Sequence, residues 1–145
     1  MDQQVLLNKA RQFCEHKGVR FTALREKVYS LLLNHENAVG AYDLLDELKK
    51  TEDSAKPATI YRTLEFLLDL GMIHRLESSN AFVACHHFDC HHPTQFLICD
   101  QCGNVHEIQS DGLQEKLDTQ AKTVGFKITR QTIEAHGTCA NCHSA

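Results

Sequence analysis

Two cysteine pairs, Cys99-x-x-Cys102 and Cys139-x-x-Cys142, constrain this chain of 145 residues more than any other feature. A two-residue gap makes a tight knuckle that turns both sulfurs toward one point. Two knuckles supply four thiolates, enough to close tetrahedrally on a zinc ion at ~2.3 Å per bond. Gly103, next after the first pair, suits that turn. The separation of the pairs exceeds that of a compact zinc ribbon, so the site has to tie the strand before Cys99 to the segment around Cys139. The competing reading is a pair of thioredoxin-like redox dithiols, but two copies at opposite ends of one α+β unit fit it poorly. Four protein ligands leave no open position for water, which makes the site structural rather than catalytic.

The rest of the cysteine content agrees. There are seven cysteines, an odd number, and six of them fall between Cys85 and Cys142. Disulfides are a poor explanation for that pattern in a reducing compartment. The start of the chain carries Asp2, Asn8, Lys9 and Arg11 with no apolar stretch typical of a leader, and no run of about 18 apolar residues occurs. We therefore expect a cytoplasmic protein with no membrane contact.

A second group of donors is not used by the knuckles. His74 falls in one short strand and Cys85 just beyond the next. His86, His87, Cys90, His91 and His92 follow closely, and His106 and Glu107 lie on a later strand. A single histidine in a strand is usually a satisfied surface imidazole, but this density is hard to explain that way. A thiolate with imidazoles and a carboxylate suits zinc better than iron or manganese. The residues alone do not say which of these donors bind.

Hydrophobic periodicity divides the chain. Val5, Leu6, Ala10 and Phe13 recur at helical spacing, with Gly18 placed to end the helix. Thr22 can cap a second helix with Leu24, Val28, Leu31 and Leu32 inward. A third spans residues 42–50. Pro57 opens a fourth, whose apolar stripe is Ile60, Leu64, Leu67 and Leu68. Residues 72–76 and 81–84 form a hairpin turning at Ser78, Ser79 and Asn80. This is the plan of a winged helix-turn-helix, with a small helical bundle as the plainer alternative. The second half predicts strands around residues 96–98, 105–108 and 126–133, with a helix over 113–124. The fold class is thus α+β: a winged-helix DNA-binding domain over 1–84, a metal-binding hinge over 85–94, and an α/β dimerisation and metal-binding domain with a structural four-cysteine zinc over 95–145. Charge gives little help to a DNA-binding reading. The net charge is −4, and residues 1–80 hold eleven Lys and Arg against twelve Asp and Glu. Phosphate contact then has to come from a local patch.

The segment Lys56-Pro57-Ala58-Thr59-Ile60-Tyr61-Arg62-Thr63-Leu64 resembles the recognition helix of the ferric uptake regulator superfamily. Arg20-Phe21-Thr22-x-x-Arg25, Ala41-Tyr42-Asp43-Leu44-Leu45, Gly71-Met72-Ile73-His74 and Glu134-Ala135-His136-Gly137-x-Cys139-x-x-Cys142 fit the same family, in order and over nearly the whole chain. Within it the chain looks most like the zinc uptake regulator branch. The iron branch carries a His-His-Asp-His run before its first Cys-x-x-Cys, and here that run is absent while Cys85 is kept. Ala23-Leu24 stands where the family often has Pro-Gln.

The resemblance implies a homodimer, joined through its α+β domains, that binds double-stranded operator DNA by one winged helix per half-site and represses zinc-uptake genes when loaded with zinc. It implies two zinc ions per chain: a structural one on Cys99, Cys102, Cys139 and Cys142, and a regulatory one on His74, Cys85, His92 and Glu107. His91 is the alternative to His92. Tyr42 and Arg62 would contact bases, and Thr59, Tyr61, Lys56 and Arg20 phosphates. Two dimers on one operator could meet through Asp46 and Lys49. The alternatives are a sensor of iron, manganese or peroxide, a structural zinc-ribbon interaction module, and a zinc hydrolase or deaminase. The last lacks the deaminase signature and any sign of a substrate pocket, so no enzyme is expected.

Overall fold

The computed structural model describes residues 2–89 and 94–143, which leaves Cys90, His91 and His92 outside the described residues. The chain forms two compact units, Met1–Cys90 and His91–Ala145.

The first unit contains α1 (Gln3–Lys17), α2 (Ala23–Leu33), α3 (Ala41–Lys49), α4 (Pro57–Asp69), β1 (Ile73–Leu76) and β2 (Ala81–Ala84). Local chemistry sets these limits. The Asp2 side chain accepts from the Gln4 N–H at the start of α1, and Gly18 ends it at φ +71°, a left-handed conformation costly for a residue with a Cβ. Thr22 caps α2 by accepting from the Arg25 N–H. Pro57 occupies the first turn of α4, where its missing N–H costs nothing. β1 and β2 pair antiparallel, with His74 opposite Val83, and Val39 bridges to Phe82 beside them.

One apolar core holds the unit together. Val28, Tyr29, Leu32, Leu44, Leu48, Ile60, Leu64, Leu67 and Met72 are almost wholly buried in it. Two expectations need correction. Val5 faces outward, and α1 instead buries Leu6, Leu7, Ala10 and Cys14. The docked stripe is therefore turned away from Val5, and Phe13 sits at its margin. On α2 the fully buried positions are Val28, Tyr29 and Leu32, with Leu24 and Leu31 only packed against the core.

The second unit contains β3 (Thr94–Cys99), β4 (Val105–Ile108), α5 (Asp111–Thr123), β5 (Thr132–Gly137) and a short α6 (Ala140–His143). Its sheet runs β4-β3-β5, antiparallel on the first edge and parallel on the second. The last strand lies further along than hydrophobicity predicts: residues 126–131 are not strand, and Phe126 is 64% exposed. Pairing decides this. The parallel register sets Thr94 opposite Thr132 and Cys99 opposite Gly137, so the strand has to continue to the edge of the second knuckle.

Candidate metal centres and nucleic-acid interface

The register of β3 and β5 brings the two knuckles together. Cys99 ends β3, and Cys139 begins the turn after Gly137. All four sulfurs of Cys99, Cys102, Cys139 and Cys142 lie within 4.8 Å of one another. Thiolates ~2.3 Å from a shared tetrahedral ion stand roughly 3.8 Å apart, and the Cys102 and Cys139 sulfurs are 3.8 Å apart. Each knuckle has its own turn. The Gly103 N–H donates to the Cys99 carbonyl with Gly103 at φ +78°. The Cys142 and His143 N–H groups donate to the Cys139 carbonyl.

Electrostatics in the cluster favours a cation. Backbone N–H groups of Cys102 and Cys139 hold the Cys99 thiol down to about 6; the Cys139 N–H reaches its sulfur at 3.3 Å. Hydrogen bonding with the Cys139 sulfur, and then burial, push Cys142 up to about 12. One sulfur is prepared as a thiolate while another resists adding a second negative charge. A dication removes that conflict, so the donor set fits zinc.

The second donor group is divided between the units. In the first, the His74 ring nitrogen and the Cys85 sulfur lie within 4.8 Å of each other. His74 is half-buried on β1 and Cys85 fully buried. Their meeting follows from the hairpin, because the Cys85 N–H donates to the Met72 carbonyl at 2.9 Å and locks the two strand ends together. Glu107 belongs to β4 of the second unit. His92 and its alternative His91 lie outside the described residues, whereas His86 and His87 are exposed.

The expected DNA contacts collect on α3, α4 and the loop before α2. Tyr42 is 65% exposed and Tyr61 48%, which is unusual for large aromatic rings. They stand edge-to-face at 6.4 Å, linking the start of α3 to the first turns of α4. Arg62, Lys56 and Arg20 are exposed and Thr59 is half-buried. The Thr59 hydroxyl accepts from the Lys56 N–H at 3.3 Å, so it helps start α4 as well as facing its N-terminal end. Arg25, which sequence reasoning gave no role, secures this surface. Its guanidinium lies 3.7 Å from the Phe66 ring centroid and donates to the Arg20 carbonyl at 2.5 Å, tying the Arg20 loop to α4. Its place in the Arg20-Phe21-Thr22-x-x-Arg25 motif was the available signal.

A winged helix with exposed basic and aromatic side chains on α3 and α4, together with a four-cysteine cluster suited to zinc, is the layout of a metal-binding DNA-binding regulator. The profile of the Ferric uptake regulator family matches residues 16–136, and the chain belongs to that family. Within the family it is similar to the zinc uptake regulation protein of Escherichia coli (strain K12), with 44% identity over 140 residues, 96% of this chain and 82% of that one. A zinc uptake regulator complexed with zinc and DNA superposes with a TM-score of 0.94 at 42% identity, covering 99% of this chain and 97% of the other. The holo form of XcZur gives 0.89 at 38% identity, covering 99% and 100%.

Proposed function

We propose that this chain is a cytoplasmic, zinc-responsive transcriptional repressor that binds operator DNA as a homodimer and silences zinc-uptake genes. Carrying the reading is the near whole-chain likeness, at 42–44% identity, to zinc uptake regulators, one of them complexed with zinc and DNA. The family regulates transcription, so no catalytic role is assigned to the exposed histidines. Neither iron, manganese nor peroxide sensing is favoured by these relatives.

Two zinc ions per chain complete the proposal. Cys99, Cys102, Cys139 and Cys142 would hold one permanently. His74, Cys85, His92 and Glu107 would close around a second, with residues 85–94 as the hinge. Zinc supplies a dication that binds thiolate, imidazole and carboxylate in one tetrahedron. Residues from both units in a single ligand set would limit the orientations of the winged helices to those that match two half-sites. By linkage, operator DNA must then tighten the second zinc by the factor by which zinc tightens operator binding, a coupling of ~1–3 kcal/mol per site.

The test is a gel-shift titration across buffered free zinc at fixed salt, using a palindromic duplex selected from a random pool. The wild-type dimer should bind more tightly as zinc rises while keeping one zinc per chain throughout. Cys85→Ser should lose the zinc response and keep the structural ion. Zinc-independent binding by the wild type, or an unchanged response in Cys85→Ser, would refute the reading.

A further inference from the structure

Tyr29 has a hydroxyl that core packing does not require. It lies on the inner face of α2 among Val28, Leu32 and the other residues of the first unit's core, and it is fully buried. A phenylalanine would fill the same space. A buried phenol needs a hydrogen-bond partner, and this one donates to the Cys85 carbonyl at 3.0 Å.

That bond completes a set. The Cys85 N–H donates to the Met72 carbonyl at 2.9 Å, its carbonyl accepts from Tyr29, and its sulfur accepts from the His87 N–H at 3.4 Å. Each polar end of the residue is therefore held from within the first unit. Tyr29 also holds the following segment through its ring, which meets Phe88 edge-on at 6.0 Å. Phe13 packs on Phe88 at 5.2 Å. Lys9 then pairs with Asp89 at 3.0 Å, one residue further along.

We propose that Tyr29 is a positioning residue for the sensing ligand Cys85, and that its hydroxyl sets how tightly the second zinc binds. The inference rests on the ligand role given to Cys85 under Proposed function. A sulfur aimed before the ion arrives loses less freedom on binding, and partners of metal ligands typically contribute 10–100-fold to metal affinity. Without the hydroxyl, the peptide after Cys85 gains freedom to rotate, and the sulfur's aim and its bond from His87 relax with it.

Tyr29→Phe removes one oxygen and keeps the ring. The full-length dimer, already holding its structural zinc, is titrated with zinc against a chromophoric chelator, and operator affinity is measured separately at saturating zinc. The second zinc should weaken about tenfold, while operator affinity at saturating zinc stays within about twofold and one tightly held zinc remains. Unchanged zinc affinity overturns the proposal. So does an equal loss of operator affinity at saturating zinc, which would mark general damage to the unit. Cys85→Ser, run in parallel, separates the two ideas. If it keeps the second zinc at wild-type strength, the site reading fails. If it loses that zinc while Tyr29→Phe behaves as wild type, only the Tyr29 role fails. Should Tyr29→Phe not fold, 4-fluorophenylalanine placed at position 29 fills the space of the hydroxyl without donating: a weakening of about tenfold is again expected, and unchanged zinc affinity overturns the proposal.

Discussion

The two units are stabilised in different ways. The first buries side chains from all four helices and the hairpin in one continuous core. In the second, among the described residues, only Gln95, Phe96 and Cys99 are buried, and no residue of α5 is. Leu113, Leu117, Val124 and Phe126 are exposed there. So little burial gives a unit of this size scant stability of its own; a metal or a partner chain usually supplies the difference. The first unit can lose a contact and remain folded, whereas the second depends on a few strong constraints.

Removing the zinc proposed for the four cysteines should have the largest effect. Structural zinc contributes an apparent ~10–16 kcal/mol in small zinc peptides near neutral pH. Cys102→Ser, or strong chelation, should therefore unfold residues 94–143 and dissociate the dimer while α1 to α4 persist. Hydrogen exchange by mass spectrometry reads both units in one sample. Retained protection in β3 and β5 would show that the contrast is wrong.

A cavity in the first unit tests the opposite side. Leu67→Ala should cost about 2–5 kcal/mol, as for other fully buried leucines. Urea unfolding followed on α2 amides measures that loss, and the zinc content of the second unit should not change. A parallel fall in zinc content would mean that the units do not stand independently.

A smaller effect belongs to the proposed DNA surface. Arg62→Ala should lower operator affinity by about 1–3 kcal/mol and relax selectivity at one base pair, whereas Arg20→Ala should weaken all sequences evenly and reduce the salt slope by about one. Equal behaviour of the two variants would remove the distinction between reading and positioning.

The same contrast explains what the sequence made legible. Helices with a strong apolar stripe, such as α4, stand almost where periodicity puts them, because local spacing and core burial agree. β5 was misplaced because the apolar run after Gly125 is not what docks: a parallel partner 38 residues away chooses the segment. The four-cysteine centre was readable because knuckle spacing is local chemistry. The ligand set proposed for the second zinc comes only from family resemblance, since residues 85–92 offer more donors than one ion can use. Tyr29 gave no signal at all, because a tyrosine on an apolar helix face looks the same whether or not its hydroxyl has a task.

The smallest expected effect is electrostatic. Arg11 forms hydrogen bonds and an ion pair with Glu26 on the surface of the first unit, and this holds the Glu26 carboxyl below its ordinary 4.5. A lowered carboxylate pKa stabilises the fold fully above the ordinary value and loses that contribution as pH falls through the lowered one. The thermal midpoints of wild type and Arg11→Met should differ slightly near neutral pH and converge in acid. A constant gap would mean that Arg11 acts by packing.

The parallel pairing of β3 with β5 also sets a schedule for synthesis. Cys99 and Cys139 are 40 residues apart, so at roughly 5–20 residues per second the first knuckle leaves the ribosome about 2–8 s before the second. During that interval the nascent chain carries two thiols with no closing pair, open to a passing metal or oxidant. At the four-cysteine site proposed above, zinc capture can be completed only after translation has passed Cys142, which makes loading a late checkpoint in the life of each chain.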